Sequence, residues 1–140
     1  HTATSVCYYV LPAEEHSGIL FTGDTLFIAG CGRLLECDAR TMWASLQKIA
    51  ALPGDTLIYP GHDYTEENYQ FALTIEPDNK AVRKLLEQRD FAPPSSIARE
   101  KQTNVFLRAA APQIKKALAT PTASAPEAFA ELRRKKDIFV

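Results

Sequence analysis

Three side chains that could bind a metal ion lie beside apolar segments typical of β-strands. Asp24 comes soon after the apolar residues 18–22, and His62 follows a later apolar segment within a Tyr-Pro-Gly-His sequence. His1 stands just ahead of a third strand-like segment, residues 6–10. Ligand and metal sites collect at the ends of buried strands. This set of His, Asp and His is suited to zinc, iron or manganese.

Each of these residues also has an ordinary structural interpretation. Asp24 could cap a turn after a strand, and His62 could be a loop histidine with satisfied hydrogen bonds. His1 indicates little by itself because it is terminal. His16 follows two glutamates in a predicted loop and is interpreted as a surface residue. The prediction of a site therefore depends on the three residues occurring together.

Composition places the chain among ordinary globular proteins and excludes a membrane-spanning one. The 140 residues are 46% hydrophobic and 24% charged, and no apolar run approaches the ~20 residues of a membrane helix. Three cysteines without a paired spacing fit a reducing compartment, and we predict a cytoplasmic protein.

The charge is unevenly distributed along the chain. Residues 1–79 contain 3 basic and 11 acidic side chains, whereas residues 80–140 contain 13 and 6. The basic half could bind a small anion, a polyanion or its acidic neighbour, or could simply form solvated helix faces. It lacks the interleaved aromatic residues of a nucleic-acid surface, so we predict no nucleic-acid partner.

The apolar pattern predicts strands first and helices afterwards. The predicted strands are residues 6–10, 18–22, 25–29 and 55–59. A helix is predicted between a cap at Asp38 and the Pro-Gly pair at 53–54. Further helices are predicted at residues 66–75, from 77–79 onward, and at 104–111, 112–118 and 127–136. Residues 93–96 and 120–126 are predicted loops, and no strand is predicted after Pro77.

The same pattern predicts two domains, residues 1–76 and residues 77–140. Four strands and two helices make only half of a layered domain, and one face of their sheet would lack a cover. We therefore expect the natural protein to have a preceding segment of comparable size.

Several segments resemble glyoxalase II, the hydroxyacylglutathione hydrolase family of the metallo-β-lactamase superfamily. They are His1 with Thr2, and residues 21–27, 29–33, 59–64, 71–79, 104–108 and 132–137. The Gly-Asp-Thr sequence alone indicates only the superfamily, whereas Gly-Cys-Gly-Arg and the basic ending narrow the resemblance to this family. The resemblance implies an α+β fold. Residues 1–76 would be the second half of an αββα metallo-β-lactamase sandwich, and residues 77–140 a small all-α substrate-binding domain.

The resemblance also implies a metal-dependent thioester hydrolase with two divalent ions, zinc or alternatively iron or manganese. His1 would bind the first ion and His62 the second, and Asp24 would bridge both. A hydroxide between the ions would attack S-D-lactoylglutathione, giving glutathione and D-lactate in methylglyoxal detoxification. Asp24 and His62 are thus the predicted catalytic residues.

Five residues correspond to the family's contacts with the glutathione part of the substrate. They are Arg33, Leu35, Tyr64, Arg133 and Lys136. Arg133 and Lys136 are spaced i, i+3, so they share a helix face and could hold one carboxylate. The alternative for residues 133–136 is an exposed tail. Leu35 departs from the aromatic residue that many relatives have there, and Ser5 stands where the family has a second His.

The family's Thr-His-x-His-x-Asp-His segment, which supplies four of the seven metal ligands, is absent from these 140 residues. We expect it upstream of His1, and we expect this chain alone to bind metal weakly and hydrolyse little. The full-length protein is predicted to be a monomer that acts on a small molecule, with no membrane partner. Two alternatives stay open: another superfamily enzyme, such as an iron-dependent persulfide dioxygenase, or a non-catalytic remnant or interaction module.

Overall fold

A four-stranded sheet, with three strands from the first half of the chain and one from the second, organises the fold in a computed structural model that describes residues 1–139. The strands are β1 (Tyr8–Val10), β2 (Ile19–Gly23), β3 (Leu26–Phe27), β4 (Gly30–Cys31), β5 (Leu57–Pro60) and β6 (Ser95–Ser96). The sheet has the order β1-β2-β5-β6, with β2 and β5 parallel and the other neighbours antiparallel. β3 and β4 form a separate antiparallel pair.

Four of the six helices within residues 1–139 begin at a short polar residue, whereas the helices that follow Tyr64 and Ala111 have no side-chain cap at those residues. The six helices are α1 (Ala39–Ala50), α2 (Thr65–Ile75), α3 (Lys80–Gln88), α4 (Ile97–Thr103), α5 (Pro112–Ala117) and α6 (Ala125–Asp137). Asp38 accepts a hydrogen bond from the Thr41 amide at 2.7 Å, as the sequence predicted, and Asn79 caps α3. Ser124 and Glu127 form a capping box at α6. No helix within residues 1–139 is both long and apolar enough to cross a membrane.

The two faces of the sheet differ in their surroundings. Leu20 and Ile58 point into the core, where they belong to the same buried cluster as Leu46 of α1. Tyr8 and Phe21 lie on the opposite face and are 69% and 47% exposed. Side chains alternate between faces along a strand, so this second face is apolar and uncovered in the described chain. That arrangement agrees with the expectation of an uncovered sheet face.

Some predicted elements differ from those of the structure. The predicted loop at residues 93–96 contains β6, whose two residues pair with Leu57 and Ile58 but are too few to show periodicity. The seven-residue α4 was not predicted at all. The predicted strand 25–29 is cut to two residues because Ala29 adopts a left-handed φ of 56°. The predicted helix over 104–111 is instead a run of turns.

Glu100 of α4 is fully buried in the core and still has hydrogen-bond donors around it. Its carboxylate accepts from the Ala29 amide at 2.8 Å, the Ser95 hydroxyl at 2.6 Å and the Asn104 amide group at 2.9 Å. Burial raises the pKa of Glu100 above its ordinary value of 4.5, although these hydrogen bonds and the charge of Arg99 act in the opposite direction.

Glu100→Gln is expected to remove a pH dependence of stability. A carboxyl whose pKa is raised by folding stabilises the fold fully below the unfolded-state pKa, and that contribution is lost as the pH rises through the folded-state pKa. The free energy of unfolding of the wild type should therefore fall relative to the Gln variant as pH rises above 4.5. Urea denaturation of both proteins from about pH 4 to pH 8 measures this. A difference that stays flat, or changes in the other direction, contradicts it.

Candidate active site

The sheet brings the predicted metal ligands to one edge. Because β2 and β5 run parallel, their carboxyl ends meet at the same side of the sheet. Asp24 directly follows β2 and His62 lies two residues beyond β5. The distance from His62 Nδ1 to Asp24 Oδ1 is 2.6 Å. The parallel pairing therefore places a carboxylate and an imidazole side by side, although they are 38 residues apart in the chain.

His1 approaches the other oxygen of the same carboxylate. Its Nε2 lies 3.7 Å from Asp24 Oδ2, while its Nδ1 is 2.9 Å from the Arg33 carbonyl oxygen, which orients the ring. The carboxylate thus lies between two imidazoles, with one oxygen directed to each. A carboxylate between two nitrogen donors is a donor set that suits divalent cations.

Two glycines allow this close approach. A Cβ at Gly32 would lie 2.1 Å from the Asp24 carbonyl oxygen and 2.9 Å from His1 Nδ1. A Cβ at Gly61 would lie 2.9 Å from Asp24 Oδ1. Any larger residue at either position would push the backbone away from the carboxylate and the imidazole. Both glycines are therefore needed to pack the three candidate ligands together.

The three ligands do not by themselves complete a site for one ion. Within residues 1–139, no group of three or more His, Cys, Asp and Glu side chains is arranged to hold a single metal ion. Structural zinc sites have four ligands on one ion and catalytic sites commonly have three protein ligands. Asp24 Oδ1 and His62 Nδ1 are at direct hydrogen-bond distance here, and an ion bound by any of these side chains would need further donors.

A cavity of about 470 Å³ opens beside these ligands. Its lining includes all but one of the predicted site residues: His1, Asp24, Arg33, Leu35, Tyr64, Arg133 and Lys136. His62 is not in the lining, but its ring stacks on Tyr64 with centroids 5.9 Å apart. Tyr64 also packs edge-on against Phe27 at 5.1 Å. The structure therefore brings the predicted metal ligands and the predicted substrate contacts to one place.

Arg133 is held tightly within the protein. Its side chain is 6% exposed, its Nη1 donates to the Cys31 carbonyl oxygen at 2.8 Å, and its Nη2 lies 3.0 Å from Asp137. The guanidinium stacks over Phe106, 5.1 Å from the ring centroid. Arg133 therefore contributes positive charge to the cavity from a fixed position, with most of its donors already used.

Lys136 is buried to about the same extent as Arg133 and also has an acidic partner. Its side chain is 7% exposed and its Nζ pairs with Glu67, which lines the same cavity. Its ammonium also lies 5.3 Å from the centroid of Phe139. The exposed-tail interpretation is wrong for this residue and for Arg133, whereas it fits the intervening Arg134 and Lys135, whose side chains are 62% and 39% exposed.

The two remaining predicted contacts are exposed. The Arg33 side chain is 71% exposed, with its Nε 3.7 Å from Asp137, and Leu35 is 63% exposed. Asp137 therefore lies between Arg33 and Arg133. Sequence reasoning missed Asp137 and Glu67 as counter-ions. The i, i+4 spacing of Arg133 and Asp137 was a usable signal, but the pairing of Glu67 with Lys136 joins residues 69 positions apart.

Cys31 lies in the cavity wall without being a nucleophile. Burial raises the pKa of its thiol to about 11, and the neighbouring Arg133 offsets this only in part. A thiol with that pKa is protonated at neutral pH and reacts slowly. This agrees with the interpretation of Cys31 as a small buried apolar residue.

Comparison with known proteins gives two family matches that together span nearly the whole chain. Residues 63–139 match a family described as "Hydroxyacylglutathione hydrolase C-terminus", and residues 1–62 match the metallo-beta-lactamase superfamily. Curated relatives named hydroxyacylglutathione hydrolase include those of Rhizobium meliloti (strain 1021), 46% identical, and Brucella abortus (strain 2308), 45% identical. Each aligns with 99% of this chain, which spans only 56% and 55% of their respective lengths.

Solved structures that share the fold include that of ETHE1 from Myxococcus xanthus. This crystal structure superposes with a TM-score of 0.50 at 24% identity, covering 86% of this chain and 37% of that one. At this level of identity the similarity concerns the fold alone.

Proposed function

The chain belongs to the hydroxyacylglutathione hydrolase family, and from this membership and the cavity we propose that it is the C-terminal portion of a metal-dependent hydrolase of glutathione thioesters. The proposed reaction converts S-D-lactoylglutathione and water to glutathione and D-lactate. The observation that supports it most is that one cavity, of about 470 Å³, is lined by His1 and Asp24 together with Arg33, Arg133 and Lys136.

The metal ligands are proposed on the chemistry of the donors. His1 would bind one ion, His62 another, and Asp24 both, with zinc proposed and iron or manganese as alternatives. When bound, such ions lower the pKa of water to near neutrality and polarise a carbonyl oxygen. The protein's own contribution is to fix the donors. The Arg33 carbonyl oxygen orients His1, and Asp24 lies within 2.6 Å of His62.

The cationic side of the cavity is proposed to hold the glutathione part of the substrate. Arg33 is the exposed cation and can contact a substrate carboxylate directly, while Arg133 and Lys136 add positive charge from buried positions. Tyr64, which packs against Phe27 and His62, would form the wall between the cationic side of the cavity and the proposed metal ligands. Binding energy from this non-reacting part would position the thioester carbonyl next to Asp24.

The proposed activity belongs to a longer protein than this chain. The chain spans about 56% of the length of the relatives it matches, and it contains three of the seven ligands that the resemblance implies. We propose that the 140 residues alone can bind the glutathione part of a thioester but hydrolyse it slowly, because both ions would lack ligands.

S-methylglutathione, a stable thioether, tests this binding on the chain itself. Titration calorimetry should show binding that weakens with added salt, because the contact is ionic. Arg33→Ala should lower the affinity about two- to fivefold, the effect of an exposed ion pair of up to about 1 kcal/mol. Arg40→Ala is the matched control, since Arg40 is exposed on α1 and does not line the cavity. The proposal is contradicted if the wild type does not bind, or if both variants lose affinity equally.

A further inference from the structure

Five consecutive residues beside the cavity, 27–31, are held by side chains from the helices and from the turn after α4, and two of the five, Phe27 and Cys31, line the cavity. Ile28 and Ala29 form the turn between β3 and β4, and Phe27, Gly30 and Cys31 belong to those two-residue strands. The side-chain bonds run from Asn104 Nδ2 to the Phe27 oxygen (3.4 Å) and the Gly30 oxygen (3.0 Å), from Asn68 Nδ2 to the Ile28 oxygen (3.0 Å), from the Ala29 amide to Glu100 Oε2 (2.8 Å), and from Arg133 Nη1 to the Cys31 oxygen (2.8 Å).

The four side chains that make these bonds are almost completely inaccessible to solvent. Glu100 and Asn104 are 0% exposed, Asn68 is 3% exposed and Arg133 is 5% exposed. Polar groups are costly to bury unless they are hydrogen-bonded, and buried backbone groups outside regular structure need partners. Here the buried side chains and the buried backbone groups of residues 27–31 are each other's hydrogen-bond partners. The network therefore specifies the path of residues 27–31 rather than merely filling space.

Within this network, Glu100 binds the residue with the least common backbone conformation, Ala29. Ala29 has a left-handed φ of 56°, a conformation that residues other than glycine rarely adopt. The amide of Ala29 donates to the Glu100 carboxylate, while Asn104 bonds both the same carboxylate and the next carbonyl, that of Gly30. Loss of the carboxylate would leave the Ala29 amide buried without an acceptor. The left-handed conformation of Ala29 would then lose the hydrogen bond that stabilises it.

The turn leads directly to the candidate ligands. Gly32 and Arg33 follow it in the chain, and the Arg33 carbonyl oxygen lies 2.9 Å from His1 Nδ1. Gly32 packs so closely on the Asp24 backbone and His1 that no side chain would fit between them. A shift of residues 27–31 would therefore move the groups that orient His1 and shape the cavity beside Asp24.

We propose that Glu100 is a positioning residue of the cavity, which fixes residues 27–31 and through them the Gly32–Arg33 backbone that orients His1. Glu100 does not line the cavity, and it acts through the backbone that it binds. The functional meaning of the cavity rests on the proposed function, whereas the positioning of residues 27–33 can be measured without it.

Hydrogen exchange measured by mass spectrometry tests the proposal on the 140-residue chain. Glu100→Ala is expected to raise the exchange rate of peptides covering residues 27–33 at least about tenfold, while peptides covering α1 exchange as in the wild type. Glu100→Gln should stay within about threefold of the wild type. Its amide oxygen can still accept from Ala29 and Asn104, and its NH₂ group can donate to the Ser95 hydroxyl.

The matched control is Thr103→Val, which changes another buried polar residue of α4. The Thr103 hydroxyl donates to the Arg99 carbonyl oxygen within its own helix, and within residues 1–139 it makes no hydrogen bond to residues 27–31. It should leave exchange at residues 27–33 unchanged. Affinity for S-methylglutathione should fall in Glu100→Ala and stay near wild type in Glu100→Gln and Thr103→Val.

The result that would overturn the proposal is equal acceleration in α1 and in residues 27–33 of Glu100→Ala, because that pattern means a general loss of stability. No acceleration at residues 27–33 would overturn it too. If Glu100→Ala does not fold, Glu100→Asp is measured instead, and exchange at residues 27–33 is again compared with exchange in α1. The shorter side chain of Asp keeps the charge but places it farther from the Ala29 amide. Failure of the wild type to bind S-methylglutathione would instead count against the proposed function and leave the exchange result standing.

Discussion

Asp24→Asn is expected to reduce both metal content and thioester hydrolysis in a hybrid enzyme that joins the N-terminal portion of the Rhizobium meliloti relative to this chain at His1. An amide offers one neutral oxygen where Asp24 offers two anionic ones, directed to His62 and His1. Changing groups that merely support metal ligands commonly costs 10- to 100-fold, so losing a shared ligand should lower kcat/KM at least about 100-fold. Elemental analysis and steady-state kinetics measure the two effects.

The control for this variant is Asp55→Asn, which removes an exposed carboxylate that bonds Ser17 and lies outside the cavity. It should keep full metal content and full activity. An Asp24→Asn hybrid that retains two metal ions per chain and normal turnover would refute the proposed role of Asp24 as a shared ligand.

The double variant Arg133→Ala/Lys136→Ala is expected to increase KM for a glutathione thioester by a factor of about ten to a few hundred, with a smaller fall in kcat. The expected range assumes that a substrate carboxylate takes the place of Asp137 or Glu67 as the partner of these cations; a charge-assisted hydrogen bond is worth roughly 1.5–3 kcal/mol, and each 1.4 kcal/mol is about tenfold. Both cations act on a part of the substrate that does not react, so ground state and transition state should lose binding alike. Added salt should alter this effect less than that of Arg33, because both side chains are buried.

Arg134→Ala/Lys135→Ala is a closely matched control. It removes the same two charges from the same helix, but at exposed positions outside the cavity. A small thioester without the glutathione carboxylates provides the second comparison. Equal loss on both substrates would mean that Arg133 and Lys136 act only through packing, since Arg133 also bonds the Cys31 carbonyl oxygen and Asp137. No loss on either substrate would exclude a role in binding.

Local patterns predicted much of the fold. The fold class is confirmed as the second half of a metallo-β-lactamase sandwich followed by a helical C-terminal part. α1 begins at Asp38 and α3 at Asn79 because their side chains satisfy backbone amides only two or three residues away. By contrast, β6 consists of two residues that pair with residues of β5 at 37 and 39 positions' distance in the sequence. The division at residues 76 and 77 stays a prediction.

The candidate site was predicted less completely because it depends on long-range contacts. The resemblance pointed to His1, Asp24, His62 and the cavity cations, and the structure places them together. It did not reveal that Arg133 and Lys136 are buried with Asp137 and Glu67 beside them, nor that Glu100 reaches Ala29 from 71 positions away. Such pairs follow no helical or strand period, so only the packed structure displays them. Zinc and a cytoplasmic location stay predictions.

The most direct test of the account is hydrolysis of S-D-lactoylglutathione by the hybrid enzyme, measured beside each portion alone. We expect the hybrid to fold, to bind two metal ions per chain and to turn over the thioester, because His1, Asp24 and His62 then act with the remaining ligands. Neither portion alone should hydrolyse it appreciably. A hybrid that folds and binds both metal ions but does not cleave the thioester would contradict the account and favour a non-catalytic role for this chain.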